Sequence, residues 1–243
     1  MTASPVSPSL RVALASPDSK GPYVRRLFAT IADRYDLVTV LLSWGRDRAW
    51  KRRLVRLAEV RPGQAALDLA CGTGDIAYAI ARQGAAVVGL DITVRMIDLA
   101  RAKPRTGQVR FLIGDMMALP FPDQTFDLVT AGYGIRNVAS IGPAVAEIYR
   151  VLRPGGRVLS LDFNRPVNPV VRGAYLAYLT VVGSALGLIL HGDPDTYRYI
   201  PESIRRYPGA GGVARLMQAA GFAGARYDRV LGGLMAINSA SRE

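Results

Sequence analysis

Two glycines form one short turn in the first third of the sequence, and an acid lies on either side of it. Gly72 and Gly74 follow the apolar run Leu67-Asp-Leu-Ala-Cys71, and Asp91 ends a second apolar run, Val87-Val-Gly-Leu-Asp91. A strand, a glycine turn and a helix in this order bring a ligand to backbone N–H groups at a helix N-terminus. A carboxylate about 20 residues further on accepts hydrogen bonds from ribose hydroxyls. The residues therefore predict a nucleoside-containing ligand at this turn.

Two classes of cofactor fit the turn. Gly72-x-Gly74-x-x-Ala77 matches the dinucleotide pattern G-x-G-x-x-G/A, and S-adenosylmethionine (SAM) uses the same turn and the same ribose carboxylate. A third acid separates the two classes, since Asp115 follows the apolar run Val109–Gly114 and can accept from an adenine amino group. SAM has no pyrophosphate, so it needs no third close-approach glycine, and its cationic sulfonium suits an acid-lined pocket. The residues favour SAM over a nicotinamide dinucleotide.

Apolar runs that alternate with helical stretches predict the elements around this turn. They indicate an α/β fold with a parallel, doubly wound sheet, in which ligands bind at the carboxyl ends of the strands. We expect parallel strands near Ala66–Leu69, Ala86–Asp91, Val109–Gly114, Phe126–Ala131 and Arg157–Asp162. Two more runs, Ala225–Leu231 and Leu234–Ser239, flank Gly232-Gly233 and predict a hairpin with an antiparallel last strand. Two helices from about Tyr23 to Ala58 would cover the ligand site.

Length and composition predict one domain. With 243 residues and 50% apolar side chains, the chain can bury a full α/β core, which we assign to residues 21–243. Residues 1–20 are rich in Ser, Pro and Ala and are expected to be a disordered extension. The single cysteine, Cys71, excludes an internal disulfide and favours a reducing cytoplasm. With one histidine and one cysteine, a metal site built from those ligands is not expected.

A long uncharged segment follows the fifth predicted strand. Residues 173–192 carry no formal charge, and their length qualifies as a transmembrane candidate. Glycines at positions 173, 183 and 187 lower the hydrophobicity of the segment. The segment also lies between strands of one predicted sheet, so a helix that spanned a membrane would split the domain. We expect an apolar helical lid over about residues 165–210. A helix buried on all sides is the alternative.

The basic charge is concentrated before the first strand. The formal net charge is +12, and residues 20–61 contain eleven basic but only four acidic residues. Read as a helix, Trp44–Ala58 is basic and amphipathic, as are helices that lie on anionic membranes; a solvated surface helix is equally compatible. No nucleic-acid recognition module is visible, so nucleic acid is not an expected partner. Reversible attachment to the inner face of the cell membrane is the expected location.

Several motifs beyond the turn carry a family resemblance. Leu119-Pro-Phe-Pro-Asp123 and Leu152-Arg-Pro-Gly-Gly156 resemble class I SAM-dependent methyltransferases, whose Rossmann-like sheet has seven strands with a reversed last strand. More specific segments look like the ubiquinone/menaquinone-biosynthesis C-methyltransferase family, and the similarity runs from about Tyr23 to the C-terminus. These segments are Phe28–Asp36, Leu42–Arg46, Trp50–Arg52, Gly134–Asn137, Asp195–Tyr199 and Glu202–Ile204. Members of that family methylate a ring carbon of demethylmenaquinol or of a polyprenyl benzoquinol.

The resemblance implies roles for residues of the SAM site. It assigns Asp68, Gly72 and Thr73 to the methionine end and Asp91 to the ribose. Asp115 and the Met116 backbone are assigned to adenine, and Gly132 to the pocket wall. Two positions depart from some members, which carry Asn in place of Asp115 and Ser in place of Gly132, and any contact through those side chains is lost here.

The resemblance also suggests residues that face the acceptor. These are Arg136, which can stabilise a quinolate oxygen, together with Tyr197, Tyr199 and Glu202. His191, next to Asp193, is a further candidate base but matches no family position. The expected cofactor is SAM, and the expected partner is a polyprenylated quinol. A SAM-dependent methyltransferase acting on RNA or another small molecule, and a non-catalytic SAM-binding or membrane-scaffold protein, are the competing hypotheses.

Overall fold

One mixed sheet forms the centre of the protein. The computed structural model describes residues 10–103 and 107–243. Its strands are β1 (Ala65–Leu69), β2 (Ala86–Asp91), β3 (Val109–Ile113), β4 (Phe126–Gly132), β5 (Leu152–Phe163), β6 (Ala223–Val230) and β7 (Met235–Ser241). They lie in the order β3-β2-β1-β4-β5-β7-β6, and β7 is antiparallel to both of its neighbours. The predicted class I methyltransferase sheet, with seven strands and a reversed end, is confirmed.

Helices cover both faces of the sheet. They are α1 (Leu10–Ala13), α2 (Pro17–Ile31), α3 (Tyr35–Leu42), α4 (Asp47–Ala58), α5 (Asp75–Ala81), α6 (Val94–Ala102), α7 (Ile141–Val151), α8 (Pro169–His191), α9 (Asp195–Arg206) and α10 (Gly209–Ala219). Buried apolar side chains of α4, α5 and α6 pack on one face, and those of α7 and α10 pack on the other. Because the chain runs from β1 outward to β3 and returns to β4, a crevice opens between the carboxyl ends of β1 and β4.

The N-terminal segment differs from the sequence expectation. Residues 10–20 contain α1 and the start of α2, whereas the expected disordered extension covered residues 1–20; residues 1–9 lie outside the described part. Ser16 caps α2 in a capping box with Ser19, and Leu14 is buried near Val24. The Ser-Pro composition that suggests disorder is here a helix start signal. The two helices expected between about Tyr23 and Ala58 are three, α2, α3 and α4, because the chain bends at residues 32–34 and again at Trp44, whose φ is +50°.

The uncharged segment forms most of α8. Within the described residues, α8 is the one helix long and apolar enough to cross a membrane, and only 22% of its most apolar window is buried. The alternative of a helix buried on all sides is therefore wrong. The buried positions include Gly183, beside α9, and Gly187, beside the turn that leads into α9: an added Cβ would lie 3.3 Å from the Tyr197 carbonyl oxygen and 2.5 Å from that of Asp193, respectively. These glycines are packing positions that attach α8 to α9.

Candidate functional site

A first cavity lies at the carboxyl ends of the parallel strands, and we call it the cofactor cavity. It encloses about 730 Å³ including its open mouth. The predicted cofactor residues that line it are Gly72, Asp91, Asp115, Met116 and Gly132. The other two, Asp68 and Thr73, line a smaller adjoining space beneath the glycine turn. The sheet thus brings together all the carboxylates that the strand ends predicted.

The glycine turn depends on left-handed backbone and close packing. Gly72 has φ of +53° and Gly74 φ of +83°. An added Cβ at Gly74 would lie 2.9 Å from the Phe111 ring, so a side chain is excluded there by both conformation and space. The Gly72 N–H donates to the Asp91 carboxylate at 2.9 Å. Asp91 therefore fixes the turn as well as lining the cavity.

Asp68 carries an unpaired buried oxygen. Its side chain is 1% exposed; Oδ1 accepts from the Thr130 hydroxyl at 2.7 Å, whereas Oδ2 has no partner among the described residues. Burial raises the pKa of Asp68 to about 7, against the opposing hydrogen bond from Thr130. A buried carboxylate oxygen without a donor is costly, and a ligand ammonium would satisfy it. The residues present thus fit the methionine end of SAM.

Asp91 and Asp115 are oriented by backbone donors. The Thr93 N–H donates to Asp91 Oδ1 at 2.8 Å, and the Met117 N–H donates to Asp115 Oδ1 at 2.9 Å. Burial raises the pKa of Asp91 even though the backbone N–H groups of Thr93 and Gly72 favour its charged form. A carboxylate oxygen can accept a second hydrogen bond, so both acids retain acceptor capacity toward the cavity.

Thr73 has a role that the sequence did not indicate. Its hydroxyl donates to Asp36 on α3 at 2.7 Å and accepts from Lys103 at 2.9 Å. Lys103 also pairs with Asp36 at 3.0 Å and with Asp75 at 2.7 Å, and Lys51 pairs with Asp75 at 3.0 Å. This network connects the N-terminal helices to the start of α5. Three of its members, Lys51, Thr73 and Asp75, line the smaller space beneath the glycine turn.

A second cavity, the acceptor cavity, adjoins the first. It encloses about 920 Å³ and has a largely apolar wall drawn from α2, α3, α8, α9 and the β6–β7 connection. Four residues line both cavities: Phe28, Tyr35, Tyr133 and Asn137. The two spaces are therefore separated by the thickness of these side chains, with the cofactor side rich in acids and the acceptor side rich in aromatic and aliphatic groups.

Arg136 lies in the wall of the acceptor cavity within a buried polar cluster. Its Nε donates to Asp162 Oδ1 at 3.2 Å, its N–H donates to Asp162 Oδ2 at 3.0 Å, and Nη1 donates to Ser203. Burial raises the pKa of Asp162, while Arg136 acts in the opposite direction. The guanidinium lies 5.9 Å from the ring centre of Tyr199, whose hydroxyl donates to Asn137 at 2.9 Å. Arg136 and Tyr199 are thus brought together.

The other acceptor-side candidates lie elsewhere. The hydroxyl of Tyr197 is 2.9 Å from His191 Nε2, and neither residue lines the cofactor or the acceptor cavity. Burial lowers the pKa of His191. Glu202 forms an ion pair with Arg205 one turn along α9 and lines neither cavity. Their roles toward an acceptor stay predictions.

Comparison with known proteins identifies the relatives of this chain. The profile of the ubiE/COQ5 methyltransferase family matches residues 16–242. The chain belongs to this family. The demethylmenaquinone methyltransferase of Thermus thermophilus is 43% identical, covering 89% of this chain and all of the relative. Ubiquinone/menaquinone biosynthesis C-methyltransferase UbiE is 39% identical in Dinoroseobacter shibae and 38% in Escherichia coli, in each case over 91% of both chains.

Solved structures agree on the fold. A methyltransferase in complex with the Trm112 activator of Haloferax volcanii superposes with a TM-score of 0.67 at 19% identity, covering 88% of this chain and 96% of the other. A SAM-dependent methyltransferase from Thermotoga maritima superposes with a TM-score of 0.65 at 17% identity, covering 90% and 100%. As a member of the ubiE/COQ5 family with this fold, the protein is a SAM-dependent methyltransferase.

Two residues of the site were not found from the sequence. Tyr133 lines both cavities, and its hydroxyl donates to the buried Asp47 at 2.7 Å. Its φ of +59° is unfavourable for a tyrosine. Tyr35 also lines both cavities, and burial raises its pKa to about 12. The available signal for Tyr133 was its position directly after Gly132, at the carboxyl end of β4.

Proposed function

We propose that this methyltransferase transfers the methyl group of SAM to a ring carbon of a polyprenylated quinol. The observation that carries the proposal is the pair of adjoining cavities, one acidic and one apolar, that share Phe28, Tyr35, Tyr133 and Asn137. The names of the relatives, demethylmenaquinone methyltransferase and UbiE, support the substrate class.

In the cofactor cavity, the chain would bind SAM through its acids and its glycine turn. Asp68 Oδ2 would accept from the ammonium, and Asp91 from the ribose hydroxyls. Asp115 and the Met116 backbone would bind adenine, while the absent side chain at Gly132 leaves room at the pocket wall. When bound, SAM supplies an electrophilic methyl carbon, and the electrons of the broken C–S bond remain on sulfur as the carbon–methyl bond forms.

In the acceptor cavity, the chain would orient the ring and exclude water. Alignment of the two reactants over a short distance is a major source of rate acceleration, and a wall of aromatic side chains supports it. Arg136 can stabilise negative charge on a quinol oxygen, because its guanidinium is always protonated and is fixed by Asp162 and Ser203. The helices α8 and α9 act as the lid that encloses the prenyl tail.

The direct test is methyl transfer from labelled SAM by the purified protein. Demethylmenaquinol and demethylated benzoquinol, each with a short and a long prenyl tail, are the acceptors, and total RNA is offered in parallel. We expect label in a quinol and none in RNA. Label in RNA alone, or binding of SAM without methylation of any quinol, would contradict the proposal. Quinone profiling of a deletion strain identifies the natural acceptor from the demethylated species that accumulates.

We further propose that the protein binds anionic membranes reversibly at the mouth of the acceptor cavity. Trp44 is 60% exposed and lines that cavity, and its ring packs at a tilt against Tyr178 of α8, with the ring centres 5.2 Å apart. Further exposed apolar side chains lie on α3 and α8: Leu37, Leu41, Val181, Leu188 and Ile189. On α4, the side chains of Arg48, Arg52 and Arg56 are exposed, and none forms an ion pair within the described residues. Each such residue contributes about 1 kcal/mol near an anionic surface.

Vesicle sedimentation tests the membrane proposal. We expect binding to anionic vesicles that weakens as salt rises, and weaker binding to neutral vesicles. Ile189→Ser should reduce binding to both, whereas Ile113→Ser, which removes an equally apolar exposed side chain from the edge strand β3, should not. Equal binding to both lipids at every salt concentration would exclude the electrostatic part. Resistance to salt and alkaline carbonate would instead indicate that α8 spans the bilayer.

A further inference from the structure

A buried tyrosine–carboxylate pair lies between the two cavities. Tyr133 is 9% exposed and lines both spaces; its hydroxyl donates to Oδ1 of Asp47, which is 3% exposed. Asp47 is the first residue of α4, and Tyr133 follows the last residue of β4. Two separate elements therefore bring the acid and the hydroxyl together at the boundary where a ring carbon would meet the methyl donor.

The pair is fixed in place from three sides. Lys51 contacts the other carboxylate oxygen of Asp47 at 2.7 Å, and the Ser43 hydroxyl accepts from the Asp47 N–H at 3.1 Å. The Tyr133 ring packs against Phe163 at 5.9 Å. Tyr133 also adopts left-handed backbone, a conformation that is unfavourable for a residue with a side chain. Strain of this kind persists where the position of the side chain matters.

We propose that Tyr133 and Asp47 form the proton acceptor for the quinol hydroxyl, an inference that rests on the proposed function. The substrate hydroxyl gives its proton to Tyr133 Oη as the tyrosine proton moves to Asp47 Oδ1. The freed electron density on oxygen increases the nucleophilicity of the adjacent ring carbon, which forms the bond to the methyl group. The proton then returns from Asp47 through Tyr133 to the oxygen, and the original hydrogen of the ring carbon leaves as the one proton released per turnover.

The surrounding charges suit a relay rather than a free phenolate. Burial and the Asp47 carboxylate raise the pKa of Tyr133 well above its usual value, so its hydroxyl stays protonated and passes a proton on. The charged and titratable groups that face Asp47 are Lys51 and Tyr35, and Asp75 lies beyond Lys51. Burial alone would lower the pKa of Lys51, but the carboxylates of Asp47 and Asp75 raise it by a larger amount. The net pKa lies above its ordinary value, so Lys51 stays charged throughout the working pH range. Tyr133 touches substrate and is catalytic; Asp47 acts through it.

The test uses Tyr133→Phe and Asp47→Asn in the full chain, with a demethylated quinol and SAM. General base catalysis contributes about 10²–10⁴-fold, so we expect kcat to fall by that factor while the KM for quinol and the Kd for SAM change less than about threefold. In both variants kcat should rise about tenfold per pH unit below the pKa of the bound quinol, since a larger fraction of the enzyme-bound quinol is then ionised without help from the protein. The double variant should be no slower than the slower single variant.

The matched control is Tyr78→Phe. Tyr78 is another buried tyrosine whose hydroxyl forms one hydrogen bond, to the Ala100 carbonyl at 2.8 Å, and it lines neither cavity. It should keep wild-type kcat at a similar loss of thermal stability. Wild-type kcat in Tyr133→Phe, or slow variants whose kcat does not rise with pH, would overturn the assignment. Failure of the proposed function is distinct, because the wild-type protein itself would then bind SAM and methylate no quinol.

Discussion

The cofactor cavity and the acceptor cavity are built by different means. The first is lined by strand ends and turns, so backbone geometry and short acids determine its shape. The second is lined mainly by side chains of α2, α3, α8 and α9, which the packing of these helices positions. A site made by backbone appears in sequence as a local motif, whereas a site made by packing does not. The same difference determines how each cavity should respond to substitution.

The largest effect is expected on the acceptor side, from Arg136→Ala. The change leaves Asp162 buried without its cation, and breaking a buried pair in this way costs about 3–5 kcal/mol of unfolding free energy. Urea unfolding measures it. Arg198→Ala breaks a pair with the exposed Asp195 and should cost only about 0–1 kcal/mol. Equal losses in the two variants would contradict the picture of a desolvated acceptor wall.

On the cofactor side, Asp68 should make stability depend on pH. Its pKa is about 7 in the folded protein against an ordinary 3.8, so the native state binds a proton that the unfolded state has released. The protonated Asp68 therefore adds to the free energy of unfolding. Its contribution is complete below about pH 4 and is lost as pH rises to about 7, a change of up to about 4 kcal/mol. Unfolding of wild type and Asp68→Asn across this range isolates the effect.

The same group should couple proton release to SAM binding. An ammonium beside Asp68 favours the ionised carboxylate, so binding below pH 7 should release the Asp68 proton and SAM affinity should increase with pH up to about 7. Calorimetry in buffers of different ionisation enthalpy detects the released proton. An identical proton count for wild type and Asp68→Asn would contradict the assignment of Asp68 to the methionine end.

An intermediate effect is expected from Asp91→Ala in the cofactor cavity. Loss of hydrogen bonds to a buried charged group should lower SAM affinity by about 1.5–3 kcal/mol, roughly ten- to a hundredfold. Because Gly72 and Thr93 also lose their acceptor, thermal stability should fall with it. Calorimetry and thermal melting measure the two effects. Asp98→Ala, which removes an exposed carboxylate on α6, should change neither.

The smallest effect should come from Tyr199→Phe, which keeps the ring and removes one hydroxyl from the acceptor side. Its hydrogen bond to Asn137 is worth about 0.5–1.5 kcal/mol, and Asn137 lines both cavities. We expect the free energy of unfolding to fall by this amount and the KM for quinol to change, while the Kd for SAM stays the same. A change in SAM affinity alone would show that Asn137 serves the cofactor side.

The contrast explains what the sequence could predict. The strands, the reversed last strand and the residues at the strand ends follow from period, turn glycines and acids, each of which is local. Thr73 bonds to Asp36 and Lys103 through side chains that meet only in the fold, so its place in that network had no sequence signal. The same holds for Tyr133 and Asp47, which are 86 residues apart. The helical start of the chain was missed because Ser16 and Pro17 are typical of both disorder and helix caps.

The glycine contact between α8 and α9 has a mechanical consequence. Because the backbones approach closely at Gly183 and Gly187, we expect α8 and α9 to move as one rigid unit. Helix α8 exposes Ile189, and helix α9 carries Tyr199, whose hydroxyl bonds to Asn137 in the acceptor cavity. A displacement of α8 by the proposed lipid contact would therefore also move α9 at the acceptor cavity. If the proposed lipid contact and quinol binding are coupled through this unit, each would change the affinity of the other by the same free energy.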